Sequence, residues 1–211
     1  MNSGQRRIVI AGTGTEVGKT WLAVQLLARA RREDCTVAAR KPAQSYAERD
    51  GRTDAELLAT ASGERPEAVC PRHRWYDVPM APPIAADVLG LAPIALSDLV
   101  EESHWPDDVD VAVVETAGGL RSPIAHDGDN LTLIERLAPT HVVLVADAGL
   151  GTLNVVRLCM QALGGVRTIV FLNRYDPRSD LHCRNREWLV DRDGMRVVTD
   201  VETVWGVMCD V

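Results

Sequence analysis

Short apolar runs dominated by valine and isoleucine return along this chain at intervals filled by longer, helix-favouring stretches. That alternation restricts the fold more than any other feature of the sequence. The runs are Arg7–Ala11, Thr36–Lys41, Asp110–Glu115, His141–Asp147 and Arg167–Asn173. Their continuous apolar character reads as strands covered on both faces. Helical patterns between them occupy Gly18–Arg32, Asp54–Ser62, Ser97–Ser103, Asn130–Leu137, Thr152–Leu163 and Asp180–Val190. Strands separated by helices pair in parallel, so the spacing predicts an α/β fold in which a mostly parallel sheet is flanked by helices. Ligands of such sheets collect at the carboxyl ends of the strands, which makes the residues closing each run the candidates for function.

A chain of 211 residues suits one domain, and no boundary interrupts 1–211. The net charge of −7, from 23 Lys+Arg against 30 Asp+Glu, comes without a basic stripe interleaved with aromatics, so no nucleic-acid surface is expected. Arg29, Arg31 and Arg32 fall where the first helix should end, and cations there answer the helix dipole. Five scattered cysteines with no Cys-x-x-Cys pair read as free thiols in a reducing, cytoplasmic compartment. No stretch approaches a membrane span, so no membrane partner is expected. The proline-rich segment 65–93 reads as a long connection with a helix over Pro83–Leu89, placed to act as a substrate lid. Val204–Cys209 reads as a short terminal strand or a docking segment.

The first strand runs into Gly12-Thr13-Gly14-Thr15-Glu16-Val17-Gly18-Lys19-Thr20 and then a helix, which is the P-loop arrangement. Backbone amides along Gly14, Glu16, Val17, Gly18, Lys19 and Thr20 would cradle phosphate, helped by the positive end of the helix. Lys19 would reach the β- and γ-phosphates of a nucleoside triphosphate, and Thr20 a Mg²⁺ ion. Gly12 and Gly18 enclose five residues where the generic pattern has four. A carboxylate at Glu16 would repel phosphate unless a cation or an amine stood between them. Lys41 closes the second strand, where its charge could neutralise a transferring phosphoryl group. Asp54 starts a helix after a turn, where Thr53 or Asp54 would serve as a simple N-cap. Glu115 ends the third strand and delivers a carboxylate to the sheet edge, where phosphate-bound Mg²⁺ would lie.

The loop form Gly-Thr-x-Thr-Glu-Val-Gly-Lys-Thr resembles that of the dethiobiotin synthetases. Lys41-Pro42-Ala43-Gln44-Ser45 is similar to their Lys-Pro-x-x-Ser/Thr element, and Glu115-Thr116-Ala117-Gly118-Gly119 to their Glu-Gly-Ala-Gly-Gly. Gly151-Thr152-Leu153-Asn154 resembles the segment that receives the substrate carboxylate across a dimer interface. The resemblance implies a homodimeric, P-loop enzyme that uses ATP or another nucleoside triphosphate, with Mg²⁺, to carboxylate and cyclise 7,8-diaminononanoate with CO₂. It implies that Thr15, Glu16, Lys19 and Lys41 stand at the reacting centre, Ser45 beside the substrate, and Thr20, Asp54 and Glu115 around the metal. It places Asn173 on the adenine, although Asn173-Arg174-Tyr175-Asp176 also resembles the Asn-Lys-x-Asp of guanine-specific proteins. Tyr46, Thr116 and Val155 stand where the family carries glycine, glycine and histidine.

Two other functions share this loop. A paralogous ligase would keep the phosphate and metal groups and take another amine, and the three departures fall on the substrate side. A nucleotide-switched partner-binding protein of the MinD and ParA kind would carry a lysine early in the loop, where this chain has Thr13, Gly14 and Thr15.

Overall fold

The computed structural model describes residues 4–47 and 51–209. Strand β1 (Arg6–Gly12) leads through the glycine loop into α1 (Lys19–Arg32), followed by β2 (Val37–Arg40) and the two-residue β3 (Gln44–Ser45). A long excursion then holds α2 (Asp54–Ser62), α3 (Pro66–Val69), β4 (Trp75–Tyr76), α4 (Pro82–Val88) and α5 (Leu96–Glu102). The chain returns to the sheet as β5 (Val111–Glu115), makes the hairpin β6 (Pro123–Ala125) and β7 (Gly128–Asp129), and passes through α6 (Asn130–Leu137). Strand β8 (His141–Asp147), α7 (Thr152–Leu163), β9 (Thr168–Asn173), α8 (Asp180–Glu187), β10 (Val197–Val198) and α9 (Val201–Cys209) follow.

The main sheet has the order β10-β9-β8-β1-β5-β2, with every neighbouring pair parallel. All five expected strands are in it. Because β1 lies between β5 and β8, the chain leaves it in one direction and later crosses to its other side. The loop after β1 therefore opens into the crevice that such a reversal creates. Its edges are tied to both neighbours: Thr13 N–H donates to Val145 O at 2.9 Å, and Thr116 N–H donates to Ile10 O at 3.0 Å.

Leu22, Leu26, Leu27 and Leu58 from α1 and α2 pack on Ile8, Ile10 and Phe171 on one face of the sheet. Leu99, Ile134 and Tyr76 pack on Val9, Val114 and Leu144 on the other. Helix α2 begins in a full capping box, since Thr53 Oγ1 accepts from Glu56 N–H and Glu56 Oε2 accepts from Thr53 N–H. Thr53 is thus the cap, which leaves the Asp54 carboxylate free for another role.

Two expectations need correction. The helix over Asp180–Val190 is α-helical only to Glu187, then widens into a π-type turn over Trp188–Arg192 that buries Leu189. Of the two alternatives for Val204–Cys209 the strand is wrong and docking is what the segment does: it lies within α9, whose Val204, Trp205 and Met208 join the core beside α1. An almost wholly apolar run carries no period that separates strand from helix, and only its partner surface decides. The strands of two or three residues were likewise too short to show a period. Among the described residues no helix is long and apolar enough to cross a membrane.

Trp205 anchors α9. Its Nε1 donates to Glu33 Oε2 at 3.0 Å, and the Arg6 guanidinium lies 4.9 Å from the ring centre. Replacing it by alanine should cost about 3–5 kcal/mol, as for other buried aromatic truncations. Urea unfolding should show this as a lower midpoint with an unchanged slope.

Candidate active site

The loop between β1 and α1 owes its shape to its glycines. Gly18 takes φ 100°, and a Cβ there would come within 2.0 Å of Asn173 Nδ2, so both backbone and space demand glycine. A Cβ on Gly12 would meet Lys19 Cδ at 2.9 Å. Gly18 caps α1 without a side chain, leaving the first amides of the helix free toward the loop. Glu16 adopts φ 59°, a left-handed conformation that costs a non-glycine residue energy. Arg174, itself at φ 56°, holds that turn: Nη2 donates to Glu16 O at 2.9 Å and Nη1 to Asp147 Oδ2 at 2.8 Å. Asn173 Nδ2 donates to Val17 O at 2.9 Å. The end of β9 thus fastens the loop from the side.

Beneath the loop the charged groups converge. Lys19 Nζ donates to Gly14 O at 2.7 Å. Thr20 Oγ1 is 2.9 Å from both Asp54 Oδ1 and Glu115 Oε1. Lys41 Nζ is 2.7 Å from Glu115 Oε1 and 2.7 Å from Asp54 Oδ2. Lys41 and Glu115 are only 2% and 1% exposed, so this pairing is made almost without solvent. Burial opposes charge on Lys41, but Asp54 and Glu115 outweigh it and hold the ammonium above the usual lysine range. Burial also pushes the Glu115 carboxyl up, against the pull of Lys41. Lys41 holds Asp54 below the ordinary carboxylate range. For Lys19, burial and the neighbouring Lys41 bring the amine down to about 8, so an arriving phosphate would restore its full charge.

Gln44 completes the frame, although the sequence reading passed over it. Its Oε1 accepts from Ala55 N–H at 2.9 Å, which seats the start of α2 and with it Asp54. Its position in the element after Lys41 was the signal available.

A cavity of about 760 Å³ opens over these groups. Thr15, Glu16, Gly18, Lys19 and Thr20 line it on the loop side, and Lys41, Ser45, Asp54 and Glu115 on the other. Tyr46, Met80 and Ser122 extend the wall. The buried hydroxyl of Ser45 and Glu115 Oε2 have no protein partner. One hydroxyl and two carboxylates within reach of one another, with one carboxylate oxygen unpaired, form an all-oxygen donor set that suits a hard cation such as Mg²⁺.

Gly151, Leu153 and Asn154 do not line this cavity, nor does Thr152, whose buried Oγ1 is unpartnered. They sit at the start of α7, beside Leu150, which is 92% exposed. Within one chain, then, the structure gathers Thr15, Glu16, Gly18, Lys19, Thr20, Lys41, Ser45, Asp54 and Glu115 around one cavity, whereas Gly14, Val17, Asn173 and 151–154 do not line it.

A family model described as an AAA domain matches residues 6–206. The ATP-dependent dethiobiotin synthetase BioD of Rhodococcus jostii is 38% identical over 157 residues, covering 74% of this chain and 67% of that protein. The enzyme of the same name from Rhodococcus erythropolis is 35% identical over 192 residues, covering 89% and 84%. The chain belongs to the dethiobiotin synthetase family. Chloroplast FtsY from Physcomitrella patens, at 19% identity and a TM-score of 0.56 over 99% of this chain and 66% of that one, shares the fold. In this member of the family Tyr46 forms part of the cavity wall beside the cluster above. That ring is T-shaped against Trp75, with centroids 6.3 Å apart and planes at 89°.

Lys41→Met should destabilise the nucleotide-free protein by roughly 3–5 kcal/mol, because it strands a buried carboxylate. Glu115→Gln should cost less, since Lys41 keeps Asp54. In the double variant the loss should fall below the sum of the singles, and a double-mutant cycle in urea measures the difference.

Proposed function

We propose that this protein is a dethiobiotin synthetase acting on 7,8-diaminononanoate, CO₂ and a nucleoside triphosphate. Carrying this reading is the convergence of Lys19, from the first turn of α1, and Lys41, from the end of β2, on one cavity that also holds Thr20, Asp54 and Glu115. In the chemistry implied, one amine of the diamine attacks CO₂ and loses a proton to give a carbamate. A carbamate oxygen then takes the γ-phosphoryl group, releasing the nucleoside diphosphate. The second amine attacks the activated carbonyl carbon, the carbon–oxygen bond to phosphate breaks, the new nitrogen gives up its extra proton, and the cyclic urea closes.

No enzyme nucleophile is needed, so the residues contribute position and charge. Lys19 neutralises the β- and γ-phosphates from the loop side. Lys41 faces the same oxygens from the floor, and its paired state fixes it as a cation through the reaction. Thr15 and Glu16 stand at the loop's cavity face, where Glu16 can hold an amine that the phosphates would otherwise leave unbalanced. Ser45 offers an unpaired hydroxyl. Thr20, Asp54 and Glu115 would hold Mg²⁺, which supplies charge neutralisation on the phosphates when bound. Asn173 stands on the nucleoside side. Five free cysteines support a reducing, cytoplasmic setting.

Gly151–Asn154 reach a substrate only if they belong to a second subunit. Exposed apolar side chains support that arrangement: Met80 at the cavity wall, Ile84 and Val88 on α4, and Leu91, and separately Leu150 and Leu158 by α7. Burying such residues against a two-fold partner would seat one chain's 151–154 over the other's cavity. Asn154→Ala and Lys19→Ala proteins, each inactive, should regain roughly a quarter of wild-type activity when mixed and re-equilibrated, because half the dimers are mixed and each of these carries one intact site. Persistent inactivity of the mixture, with a monomeric mass in solution, would remove the shared site.

Tyr46 favours one second reading, a ligase of the same chemistry with a different amine, because its ring forms cavity wall at a position where the family resemblance implies glycine. One experiment separates the two. For a dethiobiotin synthetase, diaminononanoate with bicarbonate stimulates phosphate release and the product has the mass of dethiobiotin. For the other ligase, nucleotide still raises the melting temperature, whereas diaminononanoate neither raises it nor stimulates release.

A further inference from the structure

Trp21 follows Thr20 directly, in the first turn of α1, where a backbone N–H has no partner within the helix. Its indole is 50% exposed, an unusual setting for the largest apolar side chain in a helix whose neighbouring Leu22 and Ala23 are fully buried. The ring rests on Phe171, with centroids 6.3 Å apart and planes at 29°. Phe171 belongs to β9 and stands two residues before Asn173, whose side chain reaches Val17 O in the loop. In a strand, residues two apart share a face, so Phe171 and Asn173 point the same way. Trp21 therefore lies on the β9 side of the loop, against the face of β9 that Asn173 shares. Lys41, Asp54 and Glu115 hold the opposite side, where the terminal phosphate must lie. A triphosphate running along the loop from that cluster delivers its nucleoside toward β9.

We propose that the open face of Trp21 is the stacking platform for the base of the nucleoside triphosphate. The proposal rests on the loop's role in binding phosphate. Phe171 fixes the indole from behind, so the platform is already formed before the nucleotide arrives. Stacking uses a π-face that every base possesses, so Trp21 confers affinity without choosing among bases. Asp176, the residue that could discriminate guanine, has its carboxylate engaged by Arg178, with Oδ1 accepting from both the Arg178 N–H and Nε–H. Recognition of the base is accordingly by stacking first and by edge contacts second.

Equilibrium binding of ATP, GTP, CTP and inorganic triphosphate to wild type, Trp21→Leu and Trp21→Phe tests this. Trp21→Leu should bind all three nucleotides roughly tenfold more weakly, the scale of one base–aromatic stack, and inorganic triphosphate as wild type does. Nucleotide should quench tryptophan emission in wild type, and Trp21→Phe should keep most of the affinity while losing that quench. The half-exposed position lets both variants fold, which thermal unfolding checks. Unchanged nucleotide affinity in Trp21→Leu overturns the proposal, and so does an equal loss for inorganic triphosphate, which would mean a damaged cradle. Loss for a single nucleotide overturns base-tolerant stacking. Wild-type protein that binds neither nucleotide nor triphosphate overturns the phosphate-loop reading and the platform with it.

Discussion

The pairing of Lys41 with Glu115, shared with Asp54, is the interaction on which the rest of the site depends. Two charges removed from water impose a desolvation cost that only close, well-oriented partners offset. Here the partners arrive from β2, β5 and the start of α2, so the cost can be met only when all three elements are in place. The sheet supplies the first two. Strands β2 and β5 pair in register from Val37 with Val111 to Arg40 with Val114, which sets Lys41 level with Glu115. Gln44 and the Thr53–Glu56 capping box supply the third by fixing where α2 begins.

The loop over this cluster is held in a costly conformation by contacts from elsewhere. Glu16 in the left-handed region is tied by Arg174, and Gly18 is pressed by Asn173, both from the end of β9. Strain of this kind persists where the surroundings over-determine it. In return the backbone amides stay directed at one point, and no ordering is needed when phosphate arrives. The same strand end borders Trp21. The glycine loop and Trp21 thus share a single support, whereas 151–154 lie apart at the start of α7.

Much of this was legible in the residues. Five valine- and isoleucine-rich runs became five strands of one parallel sheet, because a strand buried on both faces must be apolar throughout. The Gly-Lys-Thr triplet placed Lys19 and Thr20, since only glycine tolerates φ 100° beside Asn173. Asp54 was ambiguous as cap or ligand because both roles put a carboxylate at a helix start. Its carboxylate became available only once Thr53 was seen to do the capping. Helix α9 was hidden because an almost wholly apolar run reads alike as strand or helix, and Trp205 docks on a surface made by residues far away in the chain. Trp21 looked like any helix residue until its exposure and its contact with Phe171 were known.

By itself the sequence determined the class of fold, the phosphate loop and the family, because periodicity, glycine requirements and short motifs are local properties that each stretch carries alone. Only the tertiary structure decided that Lys41 binds Glu115 and Asp54, that Arg174 braces Glu16, and that 151–154 stand off the cavity of their own chain. The pairings among them join residues from 13 to 158 positions apart. Their energies depend on burial and on distances of a few ångströms, and folding alone sets both.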